Sequence, residues 1–147
     1  MNAIHLYRLG NWCYRHRVPV LPKLFRALIF FLYNSDIFMQ TKIGRGTRFA
    51  HGCIGVVIHA EAVIGDHVMI GPHVVIGGNF CEGVATIGDH VWISAGAKLI
   101  GRITVGSHVI IGANAVVLRD VPDNSVAAGV PARVIREIKP EERECLV

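Results

Sequence analysis

The sequence predicts a mainly β fold in which short strands stack into successive coils around one core. The main observation is a repeat of six residues between Ile43 and Val121, with an aliphatic residue at its first position. Gly often follows at the second position, and the fifth position is small or branched. Val and Ile suit a pleated surface, Gly suits a tight corner, and such short units can bury an apolar side only by stacking. A fixed period of this kind is the signature of a repeat architecture.

The six-residue spacing holds over two runs of the chain. The first positions of these runs are Ile58, Ile64, Ile70 and Ile76, then Ile87, Ile93, Leu99, Val105, Ile111 and Val117. The fifth positions are Ala62, Val68, Val74 and Phe80, then Val91, Ala97, Ile103, Val109, Ala115 and Val121. Because each set recurs at the same point of every unit, we expect both sets to face one shared core.

Two interruptions of the period predict surface loops. Three extra residues follow Phe49, around residues 51–55, and about five follow Ile76, around residues 82–86. Insertions in a coil become loops on its surface, and in repeat proteins such loops often form the binding face.

Length and composition indicate one globular domain with short appendages. We expect an N-terminal helical cap at residues 1–35, the β repeat domain at residues 36–122 and a C-terminal tail at residues 123–147. The cap contains five basic residues and no acidic one, whereas the remainder has 10 basic and 11 acidic residues, a net charge of −1. The basic excess is therefore confined to the cap, and we expect no nucleic-acid partner.

The cysteines favour a reducing compartment. Cys13, Cys53, Cys81 and Cys145 are far apart and form no CxxC pair, so neither a zinc knuckle nor a redox pair is indicated. A repeat domain with a continuous core needs no disulfides. Residues 1–9 lack the apolar segment of a signal peptide. We therefore expect a cytoplasmic protein.

Residues 1–33 are predicted to form two helices separated by a break near residues 18–22. The second helix is expected from about Lys23 to Tyr33. Its residues 27–33 are apolar on every side, which indicates burial or lipid contact, and the segment is too short to span a bilayer. Two interpretations stay open. The helices either pack on the repeat domain or a neighbouring subunit, or they make peripheral contact with an anionic membrane.

Several motifs resemble those of one family. They are residues 36–37, 42–46, 51, 76–78, 95–98 and 128–133. Over roughly residues 7–135 the chain is similar to serine O-acetyltransferases and their shorter relatives found with polysaccharide genes, within the hexapeptide-repeat acyltransferases. That resemblance implies a left-handed parallel β-helix shaped as a triangular prism, with three units per coil. The period alone implies neither the handedness nor the size of a coil.

On such a prism, the third positions of one face form a column. Its members are His51, Pro72, Ala95 and Ala113. The resemblance makes His51 the general base that takes a proton from an acceptor hydroxyl, a role that suits an imidazole titrating near neutral pH. It makes Asp36 the acid that orients that imidazole, as in a catalytic dyad.

The same resemblance implies a site for acetyl-CoA as co-substrate. Its contacts fall on Gly78, Ala95 and Ala113, where small residues let a pantetheine arm lie close to the backbone. Lys98 and Arg133 are candidates for the phosphates of coenzyme A. The resemblance also implies a homotrimer whose grooves are each completed by a neighbouring chain.

The chain departs from serine acetyltransferases at the positions that hold serine. The acid before the base is replaced by Ala50, and a Glu of the next coil aligns with Ala60, beside Glu61. The loop that carries an Arg-His pair in the family is here residues 80–86, which contain neither Arg nor His. We therefore expect a different acceptor hydroxyl, such as one on a sugar or a polysaccharide precursor, with L-serine kept as the other candidate.

Three histidines at fourth positions, His67, His90 and His108, are expected to stack in a ladder on a second face. A zinc site of the carbonic anhydrase kind would need a different spacing, since His67 and His73 are separated by five residues rather than four. We expect a ladder that faces solvent and no metal.

The sequence thus favours an acetyl-CoA-dependent O-acetyltransferase. The alternatives are an N-acetyltransferase acting on an amino sugar, a zinc hydratase of the carbonic anhydrase kind, and a β-helix scaffold without catalytic activity.

Overall fold

The computed structural model describes residues 2–79, 83–144 and 146, and it has the mainly β fold with short N-terminal helices that the sequence predicts. Helix α1 spans Ala3–Arg15 and helix α2 spans Leu21–Tyr33. The side chain of Asn2 caps α1 by accepting a hydrogen bond of 3.1 Å from the backbone N–H of Ile4. At the end of α2, Asn34 adopts a left-handed conformation with φ 51°. The predicted break between the helices is confirmed.

Short strands follow at the predicted period. They are β1 (Asp36–Ile37), β2 (Lys42–Ile43), β3 (Arg48–Phe49), β4 (Val57–Ile58), β5 (Val63–Ile64), β6 (Met69–Ile70), β7 (Val75–Gly77), β8 (Thr86–Ile87), β9 (Trp92–Ile93), β10 (Lys98–Ile100), β11 (Thr104–Val105), β12 (Ile110–Ile111) and β13 (Val116–Val117). Strands three apart in the chain pair with each other in parallel. The result is sheet A (β1-β4-β7-β10-β13), sheet B (β2-β5-β8-β11) and sheet C (β3-β6-β9-β12). Three units therefore make one coil.

The core lies inside the three sheets and consists of the two residue sets that the repeat defines. The first positions from Ile58 to Val117 are at most 2% exposed, and the described fifth positions from Ala62 to Val121 are at most 5% exposed. Phe80, the remaining fifth position, lies outside the described residues. Full burial of one such aliphatic side chain contributes roughly 1.5–3 kcal/mol, so the repeat is the main source of stability.

Glycines at second positions allow the coils to stack at the corners. A Cβ on Gly44 would overlap the backbone of Gly65, and a Cβ on Gly65 would in turn approach the backbone of Gly88. Any side chain at these positions would push adjacent coils apart.

Helix α1 covers the first coil. The buried hydroxyl of Tyr7 donates a hydrogen bond to the carbonyl of Thr41 at 2.5 Å, and burial raises the pKa of Tyr7 to about 12. The guanidinium of Arg8 donates to the carbonyls of Ile43 at 2.8 Å and Gly44 at 2.5 Å. These bonds satisfy carbonyls at the open end of the solenoid, so α1 acts as a cap, as one of the two interpretations expects.

The C-terminal segment differs from the expected tail. Strand β14 (Ser125–Gly129) adds to sheet C in parallel beside β12, and β15 (Ala132–Glu137) returns antiparallel to β14. A short helix, α3 (Pro140–Arg143), follows. The free edge of β12 offers hydrogen-bond partners to this segment even though its sequence has left the six-residue period. The division into ranges 1–35, 36–122 and 123–147 stays a prediction.

Candidate active site

The first insertion forms a tight turn that presents His51 to solvent. Ala50–Gly52 make one turn of 3₁₀ helix, and His51 lies within it in a left-handed conformation, φ 51°. Histidine is one of the residues that tolerate this region best. Because the turn projects from the coil, the imidazole of His51 is exposed.

The turn is anchored from beneath by a buried serine. The hydroxyl of Ser35 donates to the carbonyl of Cys53 and accepts a hydrogen bond of 2.9 Å from the backbone N–H of Val56. Cys53 is fully buried, and this burial raises the pKa of its thiol to about 12. The thiol is therefore a core group, and the anchored turn holds His51 at a defined place on the solenoid.

The hydrogen-bond register corrects the predicted column. Gly96 donates from its backbone to the carbonyl of Pro72. One coil earlier in the chain, the equivalent hydrogen bond runs from the backbone N–H of His73 to the carbonyl of Ile54. Ile54, rather than His51, is thus the residue below Pro72. The three inserted residues move His51 out of the column into the preceding turn.

Asp36 is held by an arginine of the helical cap. Its two carboxylate oxygens accept hydrogen bonds from Nε of Arg26 at 2.6 Å and from Nη2 at 2.7 Å. The same guanidinium lies 3.6 Å above the ring centre of Phe38, and the bond to Asp36 raises the pKa of Arg26. Among the described residues, no hydrogen bond joins Asp36 to His51. The pairing of Asp36 with His51 stays a prediction, and sequence reasoning missed Arg26 because nothing in the repeat marks it.

Replacing Arg26 with Lys should lower the free energy of unfolding by about 1 kcal/mol. A lysine can reproduce neither the two-pronged bond to Asp36 nor the flat contact with Phe38, and exposed pairs of each kind contribute about that much. Urea denaturation measures the change. Arg102→Lys, at an exposed position on the repeat domain, is the matched control. Equal stabilities of the two variants would show that the Arg26–Asp36 pair contributes nothing measurable.

Two predicted coenzyme contacts share one corner of the solenoid. Ala95 and Ala113 are exposed at successive levels of the corner between sheets C and A, joined by the bond from the N–H of Asn114 to the carbonyl of Ala95. Lys98 begins the next strand, and its Nζ donates a hydrogen bond of 3.0 Å to the carbonyl of Gly96 at this corner. A narrow shelf of small residues therefore has an ammonium group beside it.

Arg133 and Gly78 lie further from that shelf. Arg133 pairs across the C-terminal hairpin with Ala128, and the strand of Ala128 pairs with β12, which ends just before Gly112, so Arg133 lies two strands above the level of Ala113. Gly78 follows β7 at the opposite end of the strands of sheet A. One chain therefore brings Ala95, Ala113, Lys98 and Arg133 towards one corner but leaves Gly78 at another.

The loop at the second interruption is placed slightly earlier than predicted. Ala85 is fully buried, and its carbonyl accepts a hydrogen bond from the N–H of Val63, the role that fifth positions play elsewhere. The loop therefore ends before residue 85 rather than at residue 86. Residues 80–82 of the loop expected to lack the serine clamp lie outside the described residues.

The predicted histidine ladder is confirmed. The rings of His67, His90 and His108 stack at centroid distances of 5.0 Å with interplanar angles of 3°. All three have φ near +54° to +55°, so each occupies a left-handed corner, which explains a polar residue there. His67 faces solvent, whereas the other two are half-buried. In the described part of the chain, no three or more His, Cys, Asp or Glu side chains are grouped so that they could hold a metal ion.

A parallel solenoid of six-residue units, with a looped-out histidine below a shelf of alanines, defines a protein of the hexapeptide-repeat transferase class. Residues 85–119 match the family described as bacterial transferase hexapeptide (six repeats).

Sequence and structural relatives narrow this class. The chain is 39% identical to the serine acetyltransferase of Helicobacter pylori (strain J99), over 92% of this chain and 80% of the relative. It is 38% identical to that of Synechococcus elongatus, over 90% of this chain and 55% of the relative. A solved serine acetyltransferase of Brucella abortus in complex with coenzyme A matches with a TM-score of 0.88 at 34% identity, over 93% of this chain and 56% of that one.

The chain belongs to the serine acetyltransferase family, and its solenoid is the left-handed parallel β-helix that the resemblance implied. It spans about half the length of several of the curated relatives that it matches.

Proposed function

We propose that this chain transfers an acetyl group from acetyl-CoA to a hydroxyl group, with His51 as the general base. The observation that carries the proposal is the placement of His51. Its imidazole is exposed on an anchored turn, next to the corner whose upper levels are Ala95 and Ala113. Membership of the serine acetyltransferase family supports the same reaction.

In the proposed reaction, the imidazole of His51 accepts the proton of the acceptor hydroxyl while that oxygen attacks the thioester carbonyl of acetyl-CoA. A tetrahedral intermediate forms and then collapses as the carbon–sulfur bond breaks. The products are an O-acetyl ester and coenzyme A, whose thiolate takes up a proton. An exposed base at a loop suits a substrate that enters from solvent.

The corner shelf fits a thin, extended ligand. Exposed Ala95 and Ala113 leave the backbone accessible, as a pantetheine arm requires. Lys98 and Arg133 flank the shelf with positive charge that would pair with the phosphates of coenzyme A.

We further propose a homotrimer, because Gly78 and the alanine shelf lie at opposite ends of sheet A. A neighbouring copy packed along sheet A would provide the second wall of the groove. The outward residues of this sheet include Val57, which is 41% exposed, and the half-buried Val75 and Val116. Those of sheet B include the polar Lys42, Thr86 and Thr104, so sheet A is the face better suited to a protein contact.

Two acceptor classes follow from two observations. The shared name of the relatives supports L-serine. The absence of Arg and His from residues 80–86 supports a sugar hydroxyl instead. Turnover of acetyl-CoA with L-serine and with a panel of sugars separates the two, and acetylation of an amino sugar on nitrogen would identify the N-acetyltransferase alternative.

Replacing Ala113 with Trp should raise the KM for acetyl-CoA by roughly tenfold or more, since an indole on the shelf would displace the coenzyme and each tenfold corresponds to about 1.4 kcal/mol. Steady-state kinetics and calorimetric titration with coenzyme A provide the measurement. Thr104→Trp, an equally bulky change on exposed sheet B, should leave KM unchanged. If the wild-type chain binds no coenzyme A, the scaffold alternative is favoured.

A further inference from the structure

Helix α2 presents a continuous apolar face to solvent. Leu24, Leu28 and Phe31, which follow one another at helical spacing, are 50%, 37% and 81% exposed. Phe30 and Leu32 widen this face at 52% and 57% exposure. Ile29 is the residue of α2 that the structure buries fully. Helix α1 covers the end of the solenoid, but it leaves this face of α2 exposed to solvent.

A rim of positive charge borders the apolar face. Arg15 and Arg17 are exposed where α1 turns into α2, and Lys23 is exposed in the first turn of α2. Trp12, next to this junction, is 56% exposed. The sequence has no acidic residue before Asp36, so nothing within the helical hairpin neutralises the rim.

We propose that the α1–α2 hairpin docks on the surface of an anionic phospholipid bilayer. In this arrangement α2 lies in the plane of the interface, with Phe31 and Leu24 among the acyl chains and Lys23, Arg15 and Arg17 among the headgroups. An apolar helix face with a basic border and exposed aromatic residues is the composition that such binding requires. Among the described residues, no helix is long and apolar enough to cross a bilayer, so the contact is peripheral.

The charge of the hairpin favours an anionic lipid surface over a second copy of the chain as the partner of this face. Two hairpins packed face to face would bring their basic rims together, because each carries five positive and no negative side chains within residues 1–35. The remainder of the chain has a net charge of only −1 and offers little to offset them. An anionic lipid surface instead attracts each basic residue near it.

Docking would also orient the candidate active site. Phe30, Phe31 and Lys23 line a cavity of about 440 Å³ together with Arg26 and Asp36. Asp36, the acid that the family resemblance assigns to catalysis, therefore lines a cavity that opens onto the docking face. This consequence rests on the proposed function and favours an acceptor presented at a membrane, whereas the docking itself does not depend on catalysis.

Vesicle co-sedimentation of the full chain tests the proposal without an activity assay. We expect binding to vesicles containing phosphatidylglycerol, weaker binding at raised salt, and little binding to pure phosphatidylcholine. Phe31→Ser and Lys23→Glu should each lower the partition coefficient by about tenfold. The matched controls are Ile135→Ser and Arg119→Glu, exposed positions on the repeat domain and its C-terminal hairpin, and they should bind like the wild type.

Two results would overturn the proposal: failure of the wild-type chain to bind anionic vesicles, and equal losses of binding for the cap variants and their controls. If the wild-type chain fails to bind and Phe31→Ser also changes the oligomer size, seen by analytical ultracentrifugation, the face belongs to a second copy of the chain.

Discussion

Replacing His51 with Asn should lower the rate of acetyl transfer by about 10²- to 10⁴-fold, the range that a positioned general base contributes. Asn is the informative substitution because His51 has φ 51°, a conformation that Asn tolerates and Ala does not favour. The amide fills similar space but cannot accept a proton. Steady-state rates with saturating acceptor measure the loss, and calorimetry should show coenzyme A binding like that of the wild type.

His67→Asn is the matched control for this experiment. His67 is also exposed and also left-handed, with φ 55°, but it lies in the ladder at the corner between sheets B and C. The control should therefore keep wild-type turnover. Near-normal turnover by the His51 variant would show that another group is the base, and equal losses in both variants would point to a structural cause.

The six-residue period predicted the part of the fold that depends on burial. Residues such as Ile76 and Leu99 recur at one point of every unit, so their burial follows from spacing alone, as do the three sheets once three units form a coil. The period could not predict β14, because Ser125–Gly129 pairs through its backbone with the open edge of β12. Backbone pairing leaves little trace in the spacing of side chains.

The candidate site was less predictable, because it depends on contacts between segments outside the repeat. The break after Phe49 marked His51 as a loop residue, and the structure agrees. The same insertion, however, shifted the register so that Ile54 took the place expected for His51 below Pro72. The partner of Asp36 could not be read from the sequence either, since Arg26 reaches it from helix α2 through the fold of the cap.

Replacing Leu99 with Ala should lower the free energy of unfolding by about 2–5 kcal/mol, the range for a buried leucine whose cavity cannot collapse. Leu99 is fully buried in β10, between Ile76 of the coil below and Val117 of the coil above. Both neighbours are held by parallel strand pairing, so neither can move far into the space that the missing atoms leave. Urea denaturation followed by circular dichroism measures the change.

The control for this experiment is Leu118→Ala, which removes the same atoms from a leucine that is 52% exposed. Its cost should stay within about 0.5 kcal/mol, as for most surface substitutions. In a solenoid each coil contacts only its neighbours, so the loss at Leu99 should also broaden the unfolding transition by weakening the middle of the stack. A cost at Leu99 no greater than that at Leu118 would mean that the register of the repeat, and with it the position assigned to the alanine shelf, is wrong.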